Sequence, residues 1–270
     1  DLHYHGEAPA FERNPSTTEP ATPRPVSVNG KRMQVIDMHA HCQLSNVWPM
    51  VEGREELEGK NPYEGQLKKV ENVDVRLQQM DAMGTDMEVL SVGTEQHFPW
   101  AEYELARDVA QLQNETLSEV CAEHPDRFVP LGVVSLQHPR LAAEQLVHSV
   151  KELGHWGCMI RGNIMGQELS DTKFHPFWAK AEELDVVVFI HPRVYPGSNP
   201  RLKGRGFLHN MIGNPLETTT ALAHLIYEGT LDRFPGIKLA LAHGGGFLPS
   251  YVGRFDHGHN GADRGGRGLE

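Results

Sequence analysis

The chain has 270 residues, with 36 acidic against 25 basic side chains and a formal charge of −11. That balance argues against nucleic-acid binding, which needs basic surface to displace counterions from phosphates. No run approaches the ~18 uninterrupted apolar residues of a bilayer span, so neither nucleic acid nor membrane is an expected partner. At 39% hydrophobic and 23% charged residues, the composition suits a slightly polar globular protein.

Residues 1–33 hold Pro9, Pro15, Pro20, Pro23 and Pro25 among Ser, Thr, Glu and Arg. Such a stretch buries too little apolar surface to offset its ordering entropy, and reads as an N-terminal arm. No intact secretory signal is visible, and the sequence starts at Asp1 rather than Met, so residues upstream are expected to be missing. From residue 34 the chain alternates. QVIDMH (34–39) fits a buried strand, and 73–83 has apolar residues at helical spacing. Strand-like runs follow at 87–92, 128–134, 158–160, 186–190 and 237–242, with helical patterns at 102–121, 141–153 and 177–184 between them. Asn214-Pro215-Leu216-Glu217 has the form of a capped helix start, and Pro235-Gly236 that of its end.

Six strands alternating with helices predict an α/β fold with a parallel sheet. No GxGxxG follows a strand, which disfavours a dinucleotide-binding open sheet. A (β/α)8 TIM-type barrel takes about 250 residues, and six of its eight units are countable here. The expectation is an incomplete barrel over residues 34–270, truncated at the C-terminus. Cys42, Cys121 and Cys158 are too few and too scattered for a disulfide framework or a CxxC zinc pair, and point to a cytoplasm-like reducing compartment.

The histidines carry the chemistry. His39 and His41 close the first strand, His191 the VVVFI run and His243 the IKLALA run. In a parallel barrel all strand C-termini open on one face, so these imidazoles should meet in one mouth. Residues two apart on a strand point the same way, so His39 and His41 can share one ion. His39, His41 and His191 would supply the three ligands of a catalytic site, leaving a position for water or substrate. Gly244-Gly245-Gly246 lacks the Lys and Ser/Thr of a phosphate-binding loop and reads as a tight turn beside the site. Cys42 is expected on the wrong side of its strand to ligate. His97, His209, His257 and His259 read as loop or rim residues.

DMHAH (37–41), IHP (190–192), GNPLETTTAL (213–222), FPGIKLALAHGGGFLP (234–249) and VGRFDHG (252–258), in this order, resemble the amidohydrolase-related family of the amidohydrolase superfamily. Within it, the likeness is to metal-dependent decarboxylases such as the 2-amino-3-carboxymuconate-6-semialdehyde decarboxylase group. The resemblance implies that His39, His41 and His191 bind a divalent metal, usually Zn²⁺, with Mn²⁺ or Co²⁺ as alternatives. It implies that His243 is the catalytic histidine acting on metal-bound water. Arg76 would grip a substrate carboxylate, and Arg254 would reach the neighbouring subunit's site in a homodimer.

The resemblance also implies an aspartate after an eighth strand, which this sequence does not contain. The chain therefore reads as a fragment or truncated product, of low stability without a partner for its open strand edges. The activity implied is a carboxy-lyase acting on a small unsaturated or aromatic acid. The alternatives are a metal-dependent hydrolase of a lactone or amide, or an inactive truncated relative. Substrate-lining residues are expected in 43–69 and 193–211.

Overall fold

Each short apolar run becomes a strand, and most amphipathic runs become the helix that carries the chain to the next one. The computed structural model describes residues 25–57, 73–193, 199–203 and 206–265, with side chains as far as His259. In chain order these are β1 (Ile36–Cys42), α1 (Val73–Met83), β2 (Met87–Val92), α2 (Tyr103–Glu123), β3 (Phe128–Val133) and α3 (Pro139–Lys151). They continue as β4 (Gly157–Arg161), α4 (His175–Glu183), β5 (Val187–His191), α5 (Asn214–Tyr227), β6 (Lys238–Leu241) and α6 (Leu248–Gly265). The six strands form one parallel sheet in sequential order, β1 to β6. This is the β/α progression of a TIM-type barrel. Among the described residues the outer edges of β1 and β6 have no strand partner.

Alternation along the strands divides the core. Cys158, Ile160, Val188 and Ile190 pack outward with Trp178, Phe177 and Leu146 of the helices. Met159 and Phe189 point inward, where they meet Val89, Val129, Leu131 and Ala242. Helix α2 buries Leu105, Val109, Leu117 and Cys121, one stripe of its surface. The side chain of Asn114 on the same helix pairs with both the N–H and the carbonyl of Val133, tying the helix to the end of β3.

The sheet curls strongly. In a flat sheet β1 and β5, four strand spacings apart, would be separated by about 19 Å. Instead the rings of His39 on β1 and His191 on β5 lie 4.8 Å apart.

The structure revises four sequence expectations. Residues 1–24 of the arm lie outside the described residues, but its end is ordered as a small hairpin, Ser27–Val28 against Lys31–Arg32. Asn29 and Gly30 take φ of 51° and 75°, as a two-residue hairpin turn requires. The first strand extends through Cys42, so His39 and His41 lie within it, with a register shift between Asp37 and Ala40. Asn214 is not a cap, because a π-turn over His209–Gly213 runs directly into α5 and leaves Asn214 already helical at φ −63°. That helix ends near Gly229, at φ 75°, well before Pro235-Gly236. Residues 258–265 continue helix α6.

Gly157 opens β4 where the strand passes closest to β5. Its φ is 154°, and a Cβ there would lie 1.8 Å from the Val187 carbonyl oxygen. Gly157→Ala is therefore expected to destabilise the fold by about 3 kcal/mol or more, read from the urea midpoint. An unchanged midpoint would show that β4 and β5 can separate without cost.

Candidate metal centre

Inward-facing positions at the C-terminal strand ends bring the imidazoles together. His39 and His41 come from β1, His191 from the last residue of β5, and His243 from the turn after β6. Ring centroids are 4.8 Å apart for His39–His41, 4.7 Å for His41–His191, and 5.2 Å from His243 to either His39 or His191. Ligating atoms of His39, His41 and His191 all lie within 4.8 Å of one another. The backbone that delivers His243 is strained, with φ of 55° at His243 and positive φ at the three following glycines. At Gly246 a Cβ would lie 2.3 Å from the Pro215 carbonyl oxygen, so only glycine lets this turn close against α5.

Hydrogen bonds behind the rings set their tautomers. The Pro192 carbonyl can only accept, so His191 Nδ1–H donates to it at 2.8 Å and Nε2 keeps its lone pair. Ser91 Oγ donates to the Ala40 carbonyl at 3.3 Å and accepts from His41 Nδ1 at 2.9 Å. His41 Nε2 is then a buried acceptor with no hydrogen-bond partner. His39 Nε2 lies 2.9 Å from His191 Nε2, where one proton can be shared. The Asp37 carboxylate accepts from the His39 backbone N–H at 2.8 Å, fixing the strand behind the ring. Bare imidazole nitrogens held by Nδ1 hydrogen bonds and aimed at one point fit a divalent metal.

The electrostatics agree. Burial pushes the His41 pKa down to about 4, helped by repulsion from His39. Burial, then His41, His39 and His243, push His191 down to about 2. His39 is lowered by burial against the opposing pull of Asp37, and His243 by burial and then by His39. All four are thus held neutral near pH 7, the form that ligates.

The arginines are placed differently. Arg76 Nη1 lies 2.6 Å from the buried Glu88 carboxylate, and Nη2 donates to the His41 carbonyl at 2.7 Å. Its guanidinium faces the back of β1. Arg254 is exposed on α6. Cys42 is buried in the outer core, away from the ligands. His97, read as a rim residue, is instead buried, donating from Nε2 to the Val92 carbonyl at 3.2 Å. Arg161, the last residue of β4, was not distinguished in the sequence, because a charged residue ending a four- or five-residue apolar run carries no motif. Of the segments expected to line the substrate site, residues 58–69, 194–198 and 204–205 lie outside the described residues.

Parallel β/α units whose strand ends gather four imidazoles form a candidate metal centre on a TIM-type barrel fold. The Amidohydrolase family model matches residues 36–262, and the chain belongs to that family. The 2-amino-3-carboxymuconate-6-semialdehyde decarboxylase of Dictyostelium discoideum is 35% identical over 187 residues, covering 69% of this chain and 52% of that protein. Gamma-resorcylate decarboxylase of Rhodococcus jostii is 32% identical over 201 residues, covering 68% and 59%. The 5-carboxyvanillate decarboxylase of Novosphingobium aromaticivorans was crystallised with manganese and 4-hydroxy-3-methoxy-5-nitrobenzoic acid. It superposes with a TM-score of 0.76 at 26% identity, over 87% of this chain and 72% of that one. The chain spans a little over half the length of the curated relatives it matches.

Two expectations follow. An imidazole with a depressed pKa in the folded state is protonated sooner in the unfolded chain, so its contribution to stability is full above the ordinary 6.5. That contribution is lost as pH falls from about 6.5 toward about 4 for His41. In EDTA, His41→Gln should therefore show a smaller drop in urea midpoint between pH 7 and pH 4.5 than the unsubstituted chain; equal drops would contradict the assignment. Arg76→Ala strands the buried Glu88 charge and should cost about 3–5 kcal/mol, whereas a loss below about 1 kcal/mol would place that pair in effective contact with solvent.

Proposed function

We propose that this chain forms the metal-binding part of a carboxy-lyase acting on a small aromatic or unsaturated carboxylic acid. The observation that carries the reading is the convergence of His39, His41, His191 and His243 at the strand ends. Relatives named as decarboxylases of such acids support it. His39, His41 and His191 would hold the ion; zinc, manganese and cobalt all suit imidazole donors. A divalent ion held there supplies Lewis-acid stabilisation of negative charge on a substrate oxygen.

The remaining chemistry belongs to the chain. Loss of CO₂ breaks a carbon–carbon bond and leaves the electron pair on the carbon that carried the carboxyl group. That carbon must then gain a proton. His243 stands beside the ligands without being needed as one, and its imidazole, neutral near pH 7, can take up a proton from solvent and pass it to that carbon. His243 is accordingly the proton donor in this reading. Arg76, committed to Glu88 and the His41 carbonyl, holds β1 in position. Arg254 is exposed where a second copy can meet it, and a homodimer with Arg254 at the partner's site is part of the proposal. Three free, buried cysteines support a reducing, cytoplasmic setting. Among the described residues no helix is long and apolar enough to cross a membrane.

The test is CO₂ release from aromatic acids by the metal-loaded protein, with elemental analysis of bound metal. His191→Ala is expected to lose the metal. His243→Ala should retain it and lose roughly 100-fold or more in rate. Hydrolysis of lactones or amides without CO₂ release would overturn the carboxy-lyase reading, and full activity in either variant would overturn the roles.

A further inference from the structure

Three neutral imidazoles offer a divalent ion donor atoms but no negative charge, and taking such an ion out of water is costly unless an anion stands near. Cations already border the mouth: Arg76 helps to depress the pKa of His41, and Arg161 and Arg193 that of His97. Two carboxylates lie close enough to oppose them at the ligands, Asp37 acting on His39 and Glu95 on His41. Asp37 is committed behind β1, where it accepts from the His39 backbone N–H. Glu95 reaches the cluster from another strand.

The fold builds its position. Glu95 lies in the 3-10 turn Thr94–Gln96 that follows β2. The Gly93 N–H donates to the Cys42 carbonyl at 3.0 Å, joining this turn to the end of β1. The side-chain amide of Gln96 pairs with both the N–H and the carbonyl of Leu44, each at 2.8 Å, and fixes the turn there. A Cβ on Gly93 would lie 2.3 Å from one oxygen of the Glu95 carboxylate and 3.8 Å from the Cys42 carbonyl oxygen. Glycine at 93 thus makes room for the carboxylate beside the end of β1. Its other oxygen lies 2.7 Å from Nη1 of Arg193, two residues past His191. The Glu95 side chain is 32% exposed, so water screens its charge only in part.

We propose that Glu95 is the charge partner of the metal centre, its carboxylate offsetting the charge of the bound ion from the rim, with Arg193 holding it there and moderating its pull. This rests on the proposed metal centre and not on the reaction.

An ion pair that merely tied the turn after β2 to the residues after β5 would loosen the ligands in the same way whichever partner was removed. A charge partner gives the two substitutions opposite signs. Without Glu95 the ion loses an anion and keeps the Arg193 cation as a neighbour; without Arg193 it faces the carboxylate unmoderated.

Calorimetric titration of the metal-free chain with Mn²⁺ alone, at low salt, reads that difference without turnover. Glu95→Gln should weaken binding by about 10-fold, and Arg193→Gln should tighten it several-fold. Glu95→Asp, which keeps the charge on a shorter stem, should recover part of the loss. Added salt should narrow the gap between Glu95→Gln and the unsubstituted chain. Unchanged affinity in Glu95→Gln overturns the proposal, as does weaker binding in both glutamine variants. Should Glu95→Gln fail to fold, Arg193→Gln still decides, because an affinity no tighter than that of the unsubstituted chain overturns the proposal. A chain that binds Mn²⁺ no better than His191→Ala overturns the metal centre and the role of Glu95 together. Binding that needs His191 but ignores Glu95 overturns the role of Glu95 alone.

Discussion

Two hydrogen bonds at the back of the imidazole cluster decide what its front can do. His41 Nδ1 is tied to Ser91 Oγ and His191 Nδ1 to the Pro192 carbonyl, so both rings present bare Nε2 atoms to the mouth. Without those partners either ring could adopt the other tautomer, and a proton would occupy the position where a metal ion would bind. Burial reinforces the arrangement by keeping the rings uncharged. His41 Nε2 is thereby left a buried acceptor facing the mouth, one that a divalent ion would engage.

The fold exists, in this view, to bring those rings within reach of one another. His191 and His243 lie about 150 and 200 residues beyond the His39–His41 pair in sequence, and parallel β/α repetition with strong curling closes the distance. The inner face supplies the rest of the mouth by the same rule. Ser91, Arg161 and His191 are inward positions on β2, β4 and β5, and Ser91 and Arg161 stand in register beside His41 and His191. The buried Arg76–Glu88 pair supports β1 from the opposite side, bonding the carbonyl of His41 itself.

Much of this was legible in the sequence because it depends on short-range pattern. Continuous apolar runs such as VVVFI mark strands covered on both faces, and the histidines at their ends mark the mouth. What was missed depends on context that the pattern does not carry. Asn214 has the residue type of a cap, but the preceding π-turn had already started the helix. Asn29-Gly30 was a readable hairpin signal, obscured by the Pro-rich stretch before it. Arg76 matches the substrate-gripping arginine by motif, and its contacts with Glu88 and the His41 carbonyl are visible only after the register of the strands is known. Arg161 and His97 are buried by the fold, so neither stood out from its own surroundings in sequence.

The most direct test of the central claim is a nitrogen-15 NMR measurement of the histidine tautomers, before and after zinc is added. The account requires His41 and His191 to be Nδ1–H tautomers in the metal-free chain. Zinc should then shift the Nε2 resonances of His39, His41 and His191 together, at one equivalent of metal. Nε2–H tautomers at His41 and His191, or Nε2 resonances indifferent to zinc, would contradict it.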